Sequence, residues 1–188
     1  MDTKTALLDS AEHAIRARGY DGFSYADLAA AVGIRKASIH HHFPAKADLA
    51  KALIERYSAH AFASLDQLSS MQLTGGENLM AFVKTYRGAI DGGTKLCLCV
   101  AFCMGRDSLS PQVLAALNLF HDTITAWLGE VFALGKADGT IAGVSDPAKE
   151  AQACLAQMEG AQLLARAAKD SSRFDAAVAR LLERITLP

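Results

Sequence analysis

The sequence lacks a long apolar run, an excess of one charge and an abundance of proline or aromatic residues. Its longest unbroken apolar segment, Leu96–Met104, has nine residues, whereas a membrane-spanning helix needs roughly 18 to 20. The opening segment Met1–Thr5 contains no apolar stretch like that of a signal peptide. We therefore expect a soluble, cytoplasmic protein with no membrane partner.

The charge and the cysteine content exclude further classes of protein. Nineteen Lys and Arg residues against twenty Asp and Glu give a formal net charge of -1, which excludes a histone-like protein that holds nucleic acid by bulk charge. Any contact with DNA must come from a local patch. The four cysteines are predicted to be reduced thiols, as is usual in a cytosolic protein. A composition that is 51% hydrophobic, with four prolines and 7% aromatic residues, predicts an all-α protein.

Apolar residues recur at helical spacing through almost the whole chain, and no segment alternates as a β-strand does. Glycine, proline and Asx or serine residues separate the helical segments. The expected helices cover about residues 3–18, 25–32, 36–41, 45–69, 77–90, 95–106, 111–136, 146–169 and 172–187.

Residues 24–43 have the spacing of a helix-turn-helix. Ala29 stands four residues before Gly33, which allows two short helices to approach closely at the turn. Leu28 and Ile39 are among the residues expected to be buried. The spacing alone also fits a short helical hairpin with a solvated basic face. In either case the second helix presents polar side chains outward, namely Arg35, Lys36, Ser38, His40 and His41.

The full string YDGFSYADLAAAVGIRKASIHHHFPAKADL, residues 20–49, resembles the DNA-binding domain of TetR-family transcriptional regulators. The resemblance covers about residues 5–57. It implies an all-α homodimer of about nine helices, with a helix-turn-helix domain at residues 1–45 and a ligand-binding and dimerisation domain at residues 46–188. It also implies a repressor that a small apolar effector, or cysteine modification, releases from a near-palindromic DNA operator.

The resemblance assigns DNA contacts residue by residue. It implies phosphate contacts at Thr5, Ser24 and Lys46, and the recognition helix carries Lys36, Ser38, Ile39, His40 and His41. Arg35 or Lys36 has the chemistry to bind guanine O6 and N7. Two positions depart from the family pattern, which usually has a tyrosine at His40 and a small hydroxyl residue at Arg35. The departure at His40 predicts a pH-sensitive phosphate contact, and the departure at Arg35 leaves the base preference there open.

The effector chamber is expected among the fourth to eighth helices, where apolar side chains surround a few polar groups. Tyr86, His121 and Gln162 are the polar groups expected to orient a ligand. The complete set of candidates is Phe62, Phe82, Tyr86, Cys97, Val100, Leu117, Phe120, His121, Ile124, Trp127, Met158 and Gln162. Dimerisation is assigned to the last two helices. The candidate contacts are Ala148, Ala151, Ala161, Ala165, Ala168, Leu181 and Ile185.

The cysteines allow two interpretations, buried core residues or a sensor thiol at Cys97. On a helix over residues 95–106, Cys99 and Cys103 share a face and Cys97 points away, so no zinc site is expected there. Consecutive histidines at 40–42 diverge in the same way. We expect no metal, no cofactor and no catalytic residues. The rival functions are a small-molecule-binding helical enzyme and a cytosolic thiol protein.

Overall fold

The computed structural model describes residues 2–187, most of which are helical. The helices are α1 (Thr3–Arg18), α2 (Tyr25–Val32), α3 (Lys36–His42), α4 (Lys46–Ser70), α5 (Gly75–Ala89), α6 (Leu98–Cys103), α7 (Pro111–Ala137), α8 (Pro147–Ala168) and α9 (Ser172–Leu182). In this range the β structure is limited to an isolated antiparallel bridge between Ile141 and Ile185. The predicted all-α class is confirmed. No helix in the described part of the chain is both long and apolar enough to cross a bilayer.

The helices pack into two compact units. The first unit extends to His60 and also contains Leu98–Phe120, whereas the second contains Ala61–Cys97 and resumes at His121. Helices α4 and α7 therefore contribute residues to both units. The boundary predicted at residue 45 divides the chain by function and stays a prediction. Its outermost positions, 1 and 188, lie outside the described residues.

In the first unit, α1 packs against α2 and α6. Leu7 and Ile15 of α1 are completely buried, and full burial of one such side chain contributes about 1.5–3 kcal/mol. Arg56 of α4 joins this core through ion pairs to Asp9 at 2.7 Å and Glu12 at 3.0 Å. These ion pairs connect α4 to α1.

In the second unit, α8 and α9 form a helical hairpin and α5 packs against both. Helices α5 and α7 approach so closely that a Cβ added to Gly75 would lie 2.2 Å from the backbone nitrogen of Gly135. The Gly75 N–H donates to Asp138 Oδ2 at 2.8 Å. Arg87 binds Asp175 through two hydrogen bonds and so connects α5 to α9. The second unit thus has its own core and polar connections.

The helix predicted over residues 95–106 is wrong in extent. Helix α6 covers only Leu98–Cys103, and residues 95–97 are not helical. The N–H of Cys97 donates to Oε1 of Gln162 on α8 at 2.6 Å, so α8 holds the segment that immediately precedes α6. Cys97 precedes the helix, so helical periodicity does not set its direction relative to Cys99 and Cys103.

Candidate nucleic-acid interface and effector region

The turn between α2 and α3 is made by Gly33. This residue has a left-handed backbone (φ 74°), and its N–H donates to the carbonyl of Ala29 at 2.9 Å. No atom lies within 4 Å of the position that a Cβ would occupy, so the positive φ rather than a lack of space requires glycine. The turn thus places α3 immediately after α2, and the two helices pack together as in a helix-turn-helix.

The start of α2 is fixed by a reciprocal cap. Ser24 Oγ accepts from the N–H of Asp27, while Asp27 Oδ2 accepts from the N–H and hydroxyl of Ser24 at 2.7 and 2.8 Å. These hydrogen bonds lower the pKa of Asp27. The hydroxyl of Ser24 is thus engaged in the cap, and its phosphate contact stays a prediction.

Tyr25 fixes the far end of α3, a role that sequence reasoning missed. Its buried hydroxyl donates to the carbonyl of Phe43 at 3.0 Å, and its ring meets that of His40 edge-on at 5.0 Å. Burial, assisted by the carboxylate of Asp48, raises the pKa of Tyr25 to about 12, so the hydroxyl remains a donor. The hydrogen bond joins residues 18 positions apart, so no local sequence pattern predicts it.

The outer face of α3 is basic. Arg35, Lys36, Ser38, His40 and His41 are all exposed. Neither Arg35 nor Lys36 has a carboxylate within ion-pair distance among residues 2–187. Ile39 is completely buried and holds α3 against its unit, whereas Thr5 is exposed near the start of α1. Unpaired cations beside hydroxyl and imidazole groups suit a phosphate backbone.

His40 has a defined tautomer. Its Nδ1 lies 3.1 Å from the carbonyl oxygen of Pro44, and because a carbonyl can only accept, Nδ1 must carry the hydrogen. A neutral His40 therefore has a lone pair at Nε2, and only the imidazolium can donate from Nε2 to an anion.

Within the described range, no group of three or more His, Cys, Asp or Glu side chains is arranged to hold a metal ion.

Lys46 is half-buried and turned toward its own unit. Its ammonium donates to the carbonyl of Phe23 at 2.8 Å and lies 4.5 and 4.2 Å from the ring centroids of Tyr20 and Phe23. Burial lowers the pKa of Lys46, and the negative charge of Asp21 opposes that effect. The ammonium thus binds this unit, and its phosphate contact stays a prediction.

In the second unit, several predicted effector residues form two groups. The aromatic group places the ring of Phe82 at 4.7 Å from Tyr86 and at 5.7 Å from Trp127. The polar group contains the bond between Gln162 and Cys97 described above. It also contains His121, whose Nε2 lies 3.1 Å from Glu159 Oε1.

His121 is charged more readily than an ordinary histidine. Its pKa is raised, first by the hydrogen bond to Glu159, although burial opposes the shift, and then by the nearby negative charge of Glu159 and of an ionised Cys97. Sequence reasoning missed Glu159. It stands three residues before Gln162, a spacing that places both on one face of α8, and this spacing was the available signal.

The other candidates are distributed between the units. Val100, Leu117 and Phe120 are buried in the first unit, where Phe120 contacts Tyr57 at 5.9 Å. Phe62, Ile124 and Met158 belong to the second, where Ile124 and Met158 are buried and Phe62 is half-buried. The effector role of these residues stays a prediction.

The cysteines differ in exposure. Cys97, Cys99 and Cys154 are buried, whereas Cys103 is exposed. Burial raises the pKa of Cys154 to about 12, which keeps it a thiol. Of the four, Cys97 is the one whose charge acts on a histidine, since an ionised Cys97 raises the pKa of His121.

Comparison with known proteins agrees with this geometry. A family model described as bacterial regulatory proteins of the tetR family matches residues 7–53. The chain is 24% identical to the HTH-type transcriptional repressor NemR of Escherichia coli K12, covering 100% of this chain and 96% of the repressor. It is 38% identical to the HTH-type transcriptional regulator CymR of Pseudomonas putida over 55 residues, covering 29% and 27% of the two chains.

Solved structures extend the similarity to the whole chain. A TetR-family transcriptional regulator from Agrobacterium tumefaciens is 33% identical over 98% of both chains, with a TM-score of 0.92. A TetR regulator from Legionella pneumophila is 28% identical over 99% and 98% of the chains, with a TM-score of 0.88. The chain belongs to the TetR family, and it is a ligand-responsive, DNA-binding transcriptional regulator.

Proposed function

We propose that this regulator is a cytoplasmic, homodimeric repressor that binds a near-palindromic operator through α3. The observation that carries the proposal is the exposed face of α3, where Arg35 and Lys36 are unpaired. A dimer presents this face twice, in major grooves about 34–36 Å apart. The second unit binds the effector, and it carries no catalytic role.

Lys36→Ala tests the DNA surface. Removing one phosphate or base contact from each protomer should weaken operator binding and reduce the salt slope by about 2, about 1 for each lost phosphate contact. The matched control is Lys84→Ala, which removes an exposed lysine of α5 in the second unit. If both variants bind the operator as the wild type does in gel-shift titrations over a range of salt concentrations, α3 is not the DNA-binding surface.

The dimer surface proposed here is the exposed face of α8. Of the five alanines assigned to the dimer from sequence, Ala151, Ala161 and Ala165 are buried within the chain and pack its own core, whereas Ala148 and Ala168 are exposed. The exposed face instead carries Ala153, Ala156, Ala167 and two leucines that are 42% and 59% exposed, Leu163 and Leu164. Large exposed apolar side chains beside small ones suit close helix packing between subunits.

Leu164→Glu tests that surface. A carboxylate at the interface should separate the protomers and abolish binding to a two-half-site operator, because a buried unpaired charge is costly. Leu119→Glu is the control, since Leu119 is 62% exposed on α7. Sedimentation velocity showing an unchanged dimer for Leu164→Glu would place the interface elsewhere.

Two modes of release are proposed for the effector. In the first mode, a small apolar molecule binds among the aromatic side chains around Phe82 and releases the protein from DNA. In the second mode, a reagent that modifies Cys97, the thiol beside His121, causes the release. The second mode is favoured by the bond from Cys97 N–H to Gln162, because an adduct on this buried residue must displace its neighbours, at a cost of about 1–3 kcal/mol. Such a cost is comparable to ordinary allosteric coupling energies.

Cysteine variants separate the modes. Wild type, Cys97→Ser and Cys103→Ser are treated with a mild electrophile, and operator affinity and modified positions are measured. The exposed Cys103 should react first, and its modification should not release the protein from the operator. Release should follow modification of Cys97. If the wild type keeps its affinity after complete modification, release depends on the non-covalent effector.

A further inference from the structure

One face of α8 holds both His121 and Cys97. Glu159 Oε1 lies 3.1 Å from Nε2 of His121, and Gln162 Oε1 accepts the N–H of Cys97 at 2.6 Å. Glu159 and Gln162 are three residues apart, so their side chains leave the helix on the same side. Neighbouring positions of α8 therefore bind the ring of one residue and the backbone of the other. All four residues belong to the second unit.

The contact with Glu159 orients the imidazole of His121. Both side chains are mostly buried, with 23% and 25% of their surface exposed, so water competes weakly for the contact. A carboxylate oxygen can only accept a hydrogen bond, and Nε2 of His121 must therefore carry the hydrogen. Nδ1 is then the nitrogen that is left to take up a proton when the ring is neutral.

The charges around His121 make it the cation of this group. Its pKa is raised first by the hydrogen bond to Glu159, against the effect of burial, and then by the negative charges of Glu159, of an ionised Cys97 and of Asp122. An attraction between two ionised groups favours the charged form of both. The imidazolium of His121 consequently favours the thiolate of Cys97, which is the nucleophilic form of a cysteine.

Two other cations stand near Cys97 in the chain or near its partner on α8. Lys95 precedes Cys97 by two residues, but its ammonium lies 2.9 Å from Asp91 Oδ2 and is already paired. Arg166 is half-buried and follows Gln162 by four residues on the same face of α8. Arg166 is therefore the alternative source of positive charge, so its removal has to be compared with that of the histidine.

From this arrangement we propose that His121, oriented by Glu159, is the positioning residue that converts Cys97 into a reactive thiolate. The proposal rests on the proposed function, in which modification of Cys97 releases the regulator from DNA. The thiol proton passes to Nδ1 of His121. The thiolate sulfur then forms a bond to the carbon of an uncharged electrophile as the leaving group departs with its bonding electrons, and the proton stays on His121 until solvent removes it. An uncharged reagent suits this thiol because Cys97 is only 3% exposed.

Alkylation by iodoacetamide measures the ionisation of Cys97 in the full-length protein. The carbon–iodine bond breaks as the sulfur–carbon bond forms, so the rate follows the thiolate fraction. The rate at Cys97 is measured by mass spectrometry from pH 6 to pH 9.5. In His121→Gln the half-maximal rate should move about one pH unit higher, which makes Cys97 about tenfold slower at pH 7. The exposed Cys103 of the first unit is the internal control, and its profile should not change.

Further variants separate the role of His121 from effects on packing. A variant that merely loosens the second unit changes the maximal rate at Cys97 but not the pH at which the rate is half-maximal. Glu159→Gln should shift that pH in the same direction as His121→Gln, because it removes the support for the imidazolium. His13→Gln, which alters an exposed histidine of α1, should leave it unchanged. Thermal melting followed by circular dichroism checks that each variant is folded.

Three results would refute the role of His121. They are an equal half-maximal pH in the wild type and in His121→Gln, a shift in Arg166→Gln alone, and a Cys97 that is not alkylated in the folded wild type at any pH. Operator binding after alkylation is measured in parallel. If modified Cys97 releases DNA although the profiles are equal, the proposed function stands and only the role of His121 fails. If the profiles differ but the modified protein stays on the operator, the role of His121 stands and the release by Cys97 fails.

Discussion

Lys46 allows a structural role to be separated from a DNA-binding role. The change Lys46→Met keeps the apolar stem and removes the ammonium, which donates to Phe23 O at 2.8 Å and lies over two rings. Hydrogen bonds to a charged group contribute about 1.5–3 kcal/mol, and each cation–π contact about 0.5–1 kcal/mol at a partly exposed site. The lowered pKa of Lys46 shows that burial opposes the charge, so much of this sum is offset.

The expected net loss for Lys46→Met is about 1–2 kcal/mol, mainly because the Phe23 carbonyl loses its donor. For a chain of this length that corresponds to a decrease in Tm of about 2–8 °C. Lys46→Arg should recover part of the loss, since it keeps the charge. The control is Lys51→Met on the same helix, where the lysine forms only an exposed pair with Glu55, and its effect should stay within about 0.5 kcal/mol.

Calorimetry and operator binding over a range of salt concentrations distinguish the two roles. If Lys46→Met melts at the temperature of Lys51→Met, the contacts of the ammonium with Phe23 and Tyr20 do not stabilise the unit, and the reasoning is refuted. If the variant is destabilised and its salt slope also decreases by about 2, the ammonium contacts one phosphate on each half-site as well. An unchanged slope leaves Lys46 as a purely structural residue.

Three further predictions concern pH and packing. If the exposed ring of His40 contacts a phosphate, His40→Phe should weaken binding to the operator and to unrelated DNA alike in gel shifts. Unchanged affinity excludes the contact. The pKa of His121 is raised in the folded protein, so its protonation stabilises the fold. This stabilisation is complete below the usual pKa of 6.5 and is lost as the pH increases through the raised pKa. His121→Gln should therefore flatten the pH dependence of the urea-unfolding free energy between pH 6 and 9, and parallel profiles of the two proteins would contradict this. Gly75→Ala should destabilise the protein by at least about 2 kcal/mol, because its Cβ meets the backbone of α7. Gly88→Ala, which has open space around it, should stabilise the protein by about 0.5 kcal/mol. Similar Tm values for the two variants would refute the contact between Gly75 and α7.

The local sequence determined the DNA-binding unit. Ser24 with Asp27 specifies a capping box, Gly33 specifies a left-handed turn, and apolar residues at three- and four-residue steps specify the helices. These signals act over a few residues, so they can be recognised without knowledge of the fold. They predicted the all-α class and the family correctly, together with the exposed positions of Arg35, Lys36 and His40.

Only the tertiary structure decided which partners the remaining side chains have. The N–H of Cys97, just before α6, is bound by Gln162, 65 positions later, a contact that no local spacing indicates. Three of the five alanines assigned to the dimer are buried in the chain's own core, since helical spacing shows that a face is apolar but not what covers it. Lys46 likewise binds the carbonyl of Phe23, 23 positions earlier in the chain, and lies over the rings of Tyr20 and Phe23. Contacts between residues that are distant in the chain depend on how all the helices pack, so the residue spacing within one segment cannot predict them.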